Sequence, residues 1–250
     1  MHAADDRLND GRAIRRVVLF DDAEIDVRAW PANVPAIAQV IGDRGLEFGP
    51  GITFLVGENG SGKSTLLEGI ATAYGLPPEG GSSHGGRSTR PSESSLGEWL
   101  RVERSPDAPR WGFFLRAETM HGYYTYLDSL GGPGGGLHEM SHGESFNALL
   151  DERLNHPRYT AGLVCLDEPE AALSFASTLT WVASLHEVAR RGTQVICATH
   201  SPILASVPGA TILELGEWGI RRAEWADLDI VTHWRSYLSE PERYLRHLLA

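Results

Sequence analysis

Eight consecutive residues, Gly57-Glu58-Asn59-Gly60-Ser61-Gly62-Lys63-Ser64, carry glycine, lysine and serine at the spacing G-x-x-x-x-G-K-[ST]. Each residue type has a task at its position. Glycines let backbone N–H groups turn inward and approach an anion closely, and a helix starting here adds positive potential from its N-terminus. Lys63 would bring a point charge to β- and γ-phosphates, and the Ser64 hydroxyl is a ligand for Mg²⁺. The flanks agree with that use. Ile52–Val56 has the β-branched and aromatic content of a strand, and Thr65-Leu66-Leu67-Glu68 opens a helix. A chance glycine turn is the competing reading, and it does not require the lysine and serine in register.

Further along, Leu163-Val164-Cys165-Leu166 ends in the carboxylates Asp167 and Glu168. In parallel sheets ligands bind outside such strand ends. There Asp167 can join a Mg²⁺ shell, and Glu168 can take a proton from an attacking water. His200 follows the next apolar strand in Ala198-Thr199-His200-Ser201, where an imidazole can donate a hydrogen bond to a γ-phosphate. Met140-Ser141-His142-Gly143-Glu144-Ser145 precedes a helix-like segment. Ser141, Gly143 and free N–H groups at a helix start can hold an anion. The same residues also read as a capping box, Ser141 with Glu144.

The elements that must position these residues alternate in type. Strands are expected at Arg15–Phe20, Ile52–Val56, Trp111–Arg116, Gly162–Leu166, Gln194–Ala198 and Thr211–Leu215. Several are continuous apolar runs, the pattern of strands covered on both faces in a parallel sheet. Helices are expected at Ser64–Tyr74, Ser145–Leu154, Ser174–Arg191 and Glu242–Leu249. Within Ser174–Arg191, Leu179, Val182, Leu185, Val188 and Ala189 are spaced as an apolar face. Leu76–Gly97 is rich in Gly, Ser and Pro with almost nothing to bury and reads as a mobile surface loop. Gly131–Gly136 reads as a second flexible segment.

Composition limits the remaining classes. The chain has 250 residues, 42 % of them hydrophobic and 22 % charged, which excludes a wholly disordered chain. Lysine and arginine number 22 against 33 acidic residues, a net charge of −11, which argues against coating nucleic acid by bulk electrostatics. Cys165 and Cys197 both lie in apolar runs and read as buried thiols of a reduced compartment. No apolar run reaches the roughly 20 residues of a transmembrane helix, so a soluble cytoplasmic protein is expected.

With these residues in place, the chain resembles the ATP-binding-cassette ATPases. Residues 57–64 look like Walker A, residues 140–145 like the signature motif, residues 163–169 like Walker B and residues 198–201 like the switch-histidine loop, in the family's order. Glu170-Ala171-Ala172-Leu173 resembles the D-loop. His142 stands where the family's signature commonly has glycine, and Glu144 where it often has glutamine. No Q-loop glutamine is visible. Glu118 is the substitute candidate for a Mg²⁺ or water contact, with an exposed turn carboxylate as the alternative.

The resemblance implies an α/β P-loop NTPase fold: a mixed sheet with a largely parallel core flanked by helices, plus a short helical signature subdomain. One domain over residues 1–250 is expected, with a helical, loop-rich subdomain at about 75–155. It implies ATP and Mg²⁺ as ligands. Residues 57–64 with Thr65, and Ser141 and Gly143 from a second copy, would hold the nucleotide. Ser64, Asp167 and Glu118 would hold the metal, with Glu168 and His200 catalytic. It also implies a head-to-tail homodimer around two ATP molecules, opened by hydrolysis. The lead-in ITFLVGENGSGKSTLLEGI is similar to the heads of chromosome-maintenance, RecF-like and break-repair ATPases, without their coiled coils. An ATPase switch acting on DNA or a protein partner is therefore expected, with the nucleotide-binding subunit of a membrane transporter as the alternative. Arg87, Arg90, Arg101, Arg104, Arg110 and Arg116 cluster in sequence and read as a solvated face rather than a DNA contact. Trp30 is an upstream aromatic candidate for adenine stacking, and a core or surface tryptophan is the competing reading.

Overall fold

The structure, a computed structural model, describes residues 12–82, 94–117 and 162–249. Glu118, Ser141, Gly143, the glycine segment 131–136 and the helix expected at 145–154 lie outside these residues, as does most of the subdomain expected at 75–155.

The strands expected from apolar runs form within a residue or so of their limits. They are β1 (Arg16–Leu19), β3 (Ile52–Val56), β6 (Gly112–Arg116), β7 (Leu163–Asp167), β8 (Gln194–Thr199) and β9 (Thr211–Gly216). Four short strands join them: β2 (Gly45–Glu47), β4 (Gly81–Ser82), β5 (Leu100–Glu103) and β10 (Gly219–Arg222). The main sheet has the order β10-β9-β3-β8-β7-β6-β4. Its inner five strands run parallel, while β10 and β4 pair antiparallel at the two edges. This is the mixed sheet with a parallel core that the sequence leads one to expect. A second, antiparallel sheet has the order β2-β1-β5.

Alternation along the parallel strands divides the interior into two cores. Phe54, Val56, Val164, Leu166, Val195 and Cys197 face one core, which α4 (Phe175–Arg190) closes with Trp181, Leu185 and Val188. Leu55, Cys165, Ile196 and Ala198 face the other, closed by Leu66, Leu67 and Ile70 of α2 (Lys63–Tyr74) and by Ile37 and Val40 of α1 (Pro35–Gly42). Every residue of β3, β7 and β8 is buried, because each of these strands is covered on both faces.

Two expectations need correction. Leu179 does not belong to the buried face of α4, where Thr178, Trp181, Leu185 and Val188 form the inward stripe. Leu179 lies one residue, about 100°, off that stripe and is exposed. Nor is the stretch 76–97 without anything to bury. Leu76 and Leu96 are buried, Gly81–Ser82 pairs with Phe113 and Phe114, and α3 (Leu96–Trp99) packs on α2. At the C-terminus, α5 (Asp229–Ser239) and α6 (Pro241–Leu248) follow the sheet. No helix among the described residues is long and apolar enough to cross a membrane.

Candidate functional site

Strand order brings the chemistry-bearing segments together. β8 lies between β3 and β7, so the phosphate loop after β3, the carboxylates ending β7 and the histidine after β8 share one edge of the sheet.

The loop 57–62 passes from β3 into α2 through two left-handed glycines, Gly60 and Gly62. Gly62, with φ 92°, is the N-cap of α2. A side chain there would be strained in the backbone and would also strike Val34. No side chain caps α2, so the N–H groups of its first turn are available to an anion. The Lys63 ammonium donates to the Glu58 carbonyl at 2.9 Å, which folds the lysine back over the loop. Burial pushes the Lys63 pKa below its ordinary value, while the carboxylates of Glu168, Asp167, Glu170 and Glu58 pull it the other way.

The Ser64 hydroxyl donates to Asp167 Oδ1 at 2.8 Å, joining residues far apart in the chain. A hydroxyl and a carboxylate brought together are hard oxygen donors suited to Mg²⁺. The Ser61 hydroxyl is buried and has no protein partner among the described residues. With the uncapped helix start and the buried ammonium, these groups fit a Mg²⁺–nucleotide.

Arg116 was expected in a solvated cluster, and the structure corrects this. In the β6–β7 register Arg116 stands beside Asp167. Its guanidinium donates to Glu68 Oε2 of α2 at 2.8 Å, and its Nε lies 3.5 Å from Asp167 Oδ2. Arg116, Glu68 and Asp167 are all nearly buried. Of the other arginines, Arg101 and Arg110 are exposed, and Arg104 stacks over the Tyr74 ring at 4.0 Å from its centroid.

Glu168 adopts a left-handed conformation, with φ 49° and ψ 49°. Its N–H donates to the Ala198 carbonyl at 2.9 Å, fixing the end of β7 to β8. A non-glycine residue held this way is strained by on the order of 1–3 kcal/mol, a cost the surrounding structure must impose. The His200 Nδ1 lies 3.6 Å from Glu168 Oε1 and 4.0 Å from Glu170 Oε1. Glu170 itself accepts from the Thr199 hydroxyl and from the His200 N–H.

The structure thus gathers the loop 57–62, the first residues of α2 from Lys63 to Thr65, Asp167, Glu168 and His200 at one edge. Trp30 precedes a cis proline and is exposed. Sequence reasoning missed Arg116, Glu68, Glu170 and Thr199. Glu68 did leave a signal, a charged residue on the inner side of a helix between Leu67 and Gly69.

Residues 37–104 match a family described as an AAA domain. No curated protein matches the sequence. Among solved structures, the chain is similar to an SMC head domain from Thermotoga maritima, with 13 % identity over 84 % of this chain and 99 % of that one and a TM-score of 0.47. It is also similar to an ATP-binding cassette of an ABC transporter, with 13 % identity over 76 % and 90 % of the two chains and a TM-score of 0.43. The described residues form an α/β fold of the P-loop type, with a glycine-rich loop between β3 and α2, and the segment 37–104 of that fold is the part that matches an AAA domain.

Proposed function

We propose that the chain is an ATPase, converting ATP and water to ADP and phosphate, and that it works as a switch by closing head-to-tail with a second copy around two ATP molecules. The supporting observation is the convergence of the Ser64–Asp167 contact with Glu168 and His200 at neighbouring strand ends.

In this reading the backbone of residues 57–62 and the first turn of α2 cradle the phosphates, and Lys63 turns from the Glu58 carbonyl to the β- and γ-phosphates. Ser64 and Asp167 would hold Mg²⁺, with Glu118 as a further candidate. When bound, Mg²⁺ neutralises charge on the phosphate oxygens. Glu168, held in a left-handed conformation at the end of β7, accepts a proton from the attacking water. His200 donates to the γ-phosphate as charge develops on it. Ser141 and Gly143 of the second copy close over the same phosphate. DNA or a protein is the proposed partner of the closed form, and the cytoplasm its compartment.

Glu168→Gln tests the reading. The variant should bind ATP with wild-type affinity by calorimetry, release no phosphate, and accumulate dimer in light scattering when ATP is present. A variant that hydrolyses ATP at the wild-type rate removes Glu168 from the mechanism. One that stays monomeric in saturating ATP removes the dimer. Co-purification of the trapped form with membranes would favour the transporter alternative.

A further inference from the structure

The turn after β8 has to place His200, and its backbone bonds, such as that from the Ala205 N–H to the Ser201 carbonyl, lie beyond the histidine. Thr199 and Leu204 are fully buried and Ser201 nearly so, so their amides cannot rely on water. Side chains satisfy them in series. The His200 N–H donates to Glu170 Oε1 at 3.0 Å, the Ser201 N–H to the Thr199 hydroxyl oxygen at 2.9 Å, and the Leu204 N–H to the Ser201 hydroxyl oxygen at 3.3 Å. The Thr199 hydroxyl hydrogen goes to the same Glu170 oxygen. The start of the turn, Thr199 to Ser201, therefore hangs from one carboxylate oxygen, while Trp225 Nε1 holds the Pro202 carbonyl further on.

That oxygen belongs to the turn that follows the neighbouring strand, β7. Glu170 sits in the 3-10 turn Pro169–Ala172, two residues beyond Glu168. Its side chain is 9 % exposed, and its second oxygen is buried with no hydrogen-bond partner among the described residues. A buried carboxylate oxygen without a donor lowers stability. Glu170 is thus poorly chosen as a fold stabiliser and well placed as a link between Glu168 and His200.

We propose that Glu170 is a positioning residue: by accepting from the Thr199 hydroxyl and the His200 amide, it locks the end of β8 to the end of β7 and sets where the His200 imidazole stands relative to Glu168. The role in hydrolysis rests on the ATPase reading above, whereas the lock itself does not. The active feature is the accepting oxygen rather than the negative charge, so glutamine should replace glutamate and alanine should not.

Steady-state ATP hydrolysis and amide hydrogen exchange of wild type, Glu170→Ala, Glu170→Gln and Thr199→Val test this. Glu170→Ala and Thr199→Val should lower kcat on the order of ten- to a hundredfold, as displaced catalytic groups do, with KM for ATP little changed. Glu170→Gln should keep most of the wild-type kcat. Exchange at the His200 amide should accelerate in Glu170→Ala and stay slow in Glu170→Gln, while amides in β3 keep their wild-type rates. A wild-type kcat in Glu170→Ala overturns the proposal, as does equal loss in Glu170→Gln or an unchanged His200 amide in Glu170→Ala. If wild-type protein hydrolyses no ATP, the ATPase reading falls, and the exchange data still decide the lock.

Discussion

At the end of β6 one guanidinium binds two carboxylates of different origin, Glu68 from α2 and Asp167 from β7. Removing one partner of a buried ion pair leaves a charge in a poor solvent, at roughly 3–5 kcal/mol. Arg116→Met should therefore lower unfolding stability by about 3 kcal/mol, read from urea titration. A loss under about 1 kcal/mol would mark the contact as a surface-like pair. Lys63→Ala should weaken Mg-ATP binding by on the order of 1.5–3 kcal/mol, about ten- to a hundredfold, by calorimetry. Unchanged affinity would remove Lys63 from the phosphate site. His200→Ala should keep ATP binding yet slow single-turnover hydrolysis by on the order of 2.7–4 kcal/mol, the worth of one aimed donor. A wild-type rate would return His200 to an ordinary loop histidine. At this scale the sequence is legible where spacing is local. The loop 57–64 is a single run, and Asp167-Glu168 directly ends an apolar strand. The partnerships of Arg116 with Glu68 and of Glu170 with His200 are not legible, because they come from strand register and helix rotation between distant segments.

Among the elements, those with both faces covered announce themselves. β3, β7 and β8 are continuous apolar runs because neither face meets water. α1 was missed: it starts at Pro35 without a capping side chain, and only Ala36, Ile37 and Val40 are buried. β5 and β10 are short, and exposed charged residues break up their apolar pattern. The end of α2 supplies a pH test. The Tyr74 hydroxyl lies within hydrogen-bonding distance of the Pro109 and Trp111 carbonyls, and burial pushes its pKa from 10.0 up to about 12. The phenol thus keeps its proton in the folded chain to higher pH than in the unfolded one. Its stabilising effect is complete below pH 10 and is lost as pH rises towards 12, a drop of at most roughly 2–3 kcal/mol. Tyr74→Phe should flatten the fall of melting temperature across that interval. An identical alkaline fall in both proteins would exclude Tyr74 as its source.

On the scale of the whole molecule, the acidic chain repels copies of itself at low salt, so an ATP-bridged dimer needs a strong local bias. A helix N-terminus favours an anion by about 0.3–1 kcal/mol when exposed and up to ~2 when partly buried, and a symmetric dimer uses it twice. Adding Ser141→Arg to Glu168→Gln should return the ATP-trapped dimer to monomer in light scattering. A dimer that survives the substitution would reduce residues 140–145 to a capped helix start. The two cysteines give the fold a further use. Cys165 faces the core under α2, and Cys197 faces the core under α4, from neighbouring strands. Both are fully buried, and burial raises both thiol pKa values. Opposite facing keeps them from bridging each other. Each therefore acts as a clock for its own layer: a thiol-reactive dye can label Cys165 only when the α2 layer lifts and Cys197 only when the α4 layer does. Single-cysteine variants labelled in native buffer should give the two opening rates separately. Equal rates would mean that the layers come off together, in one global unfolding event.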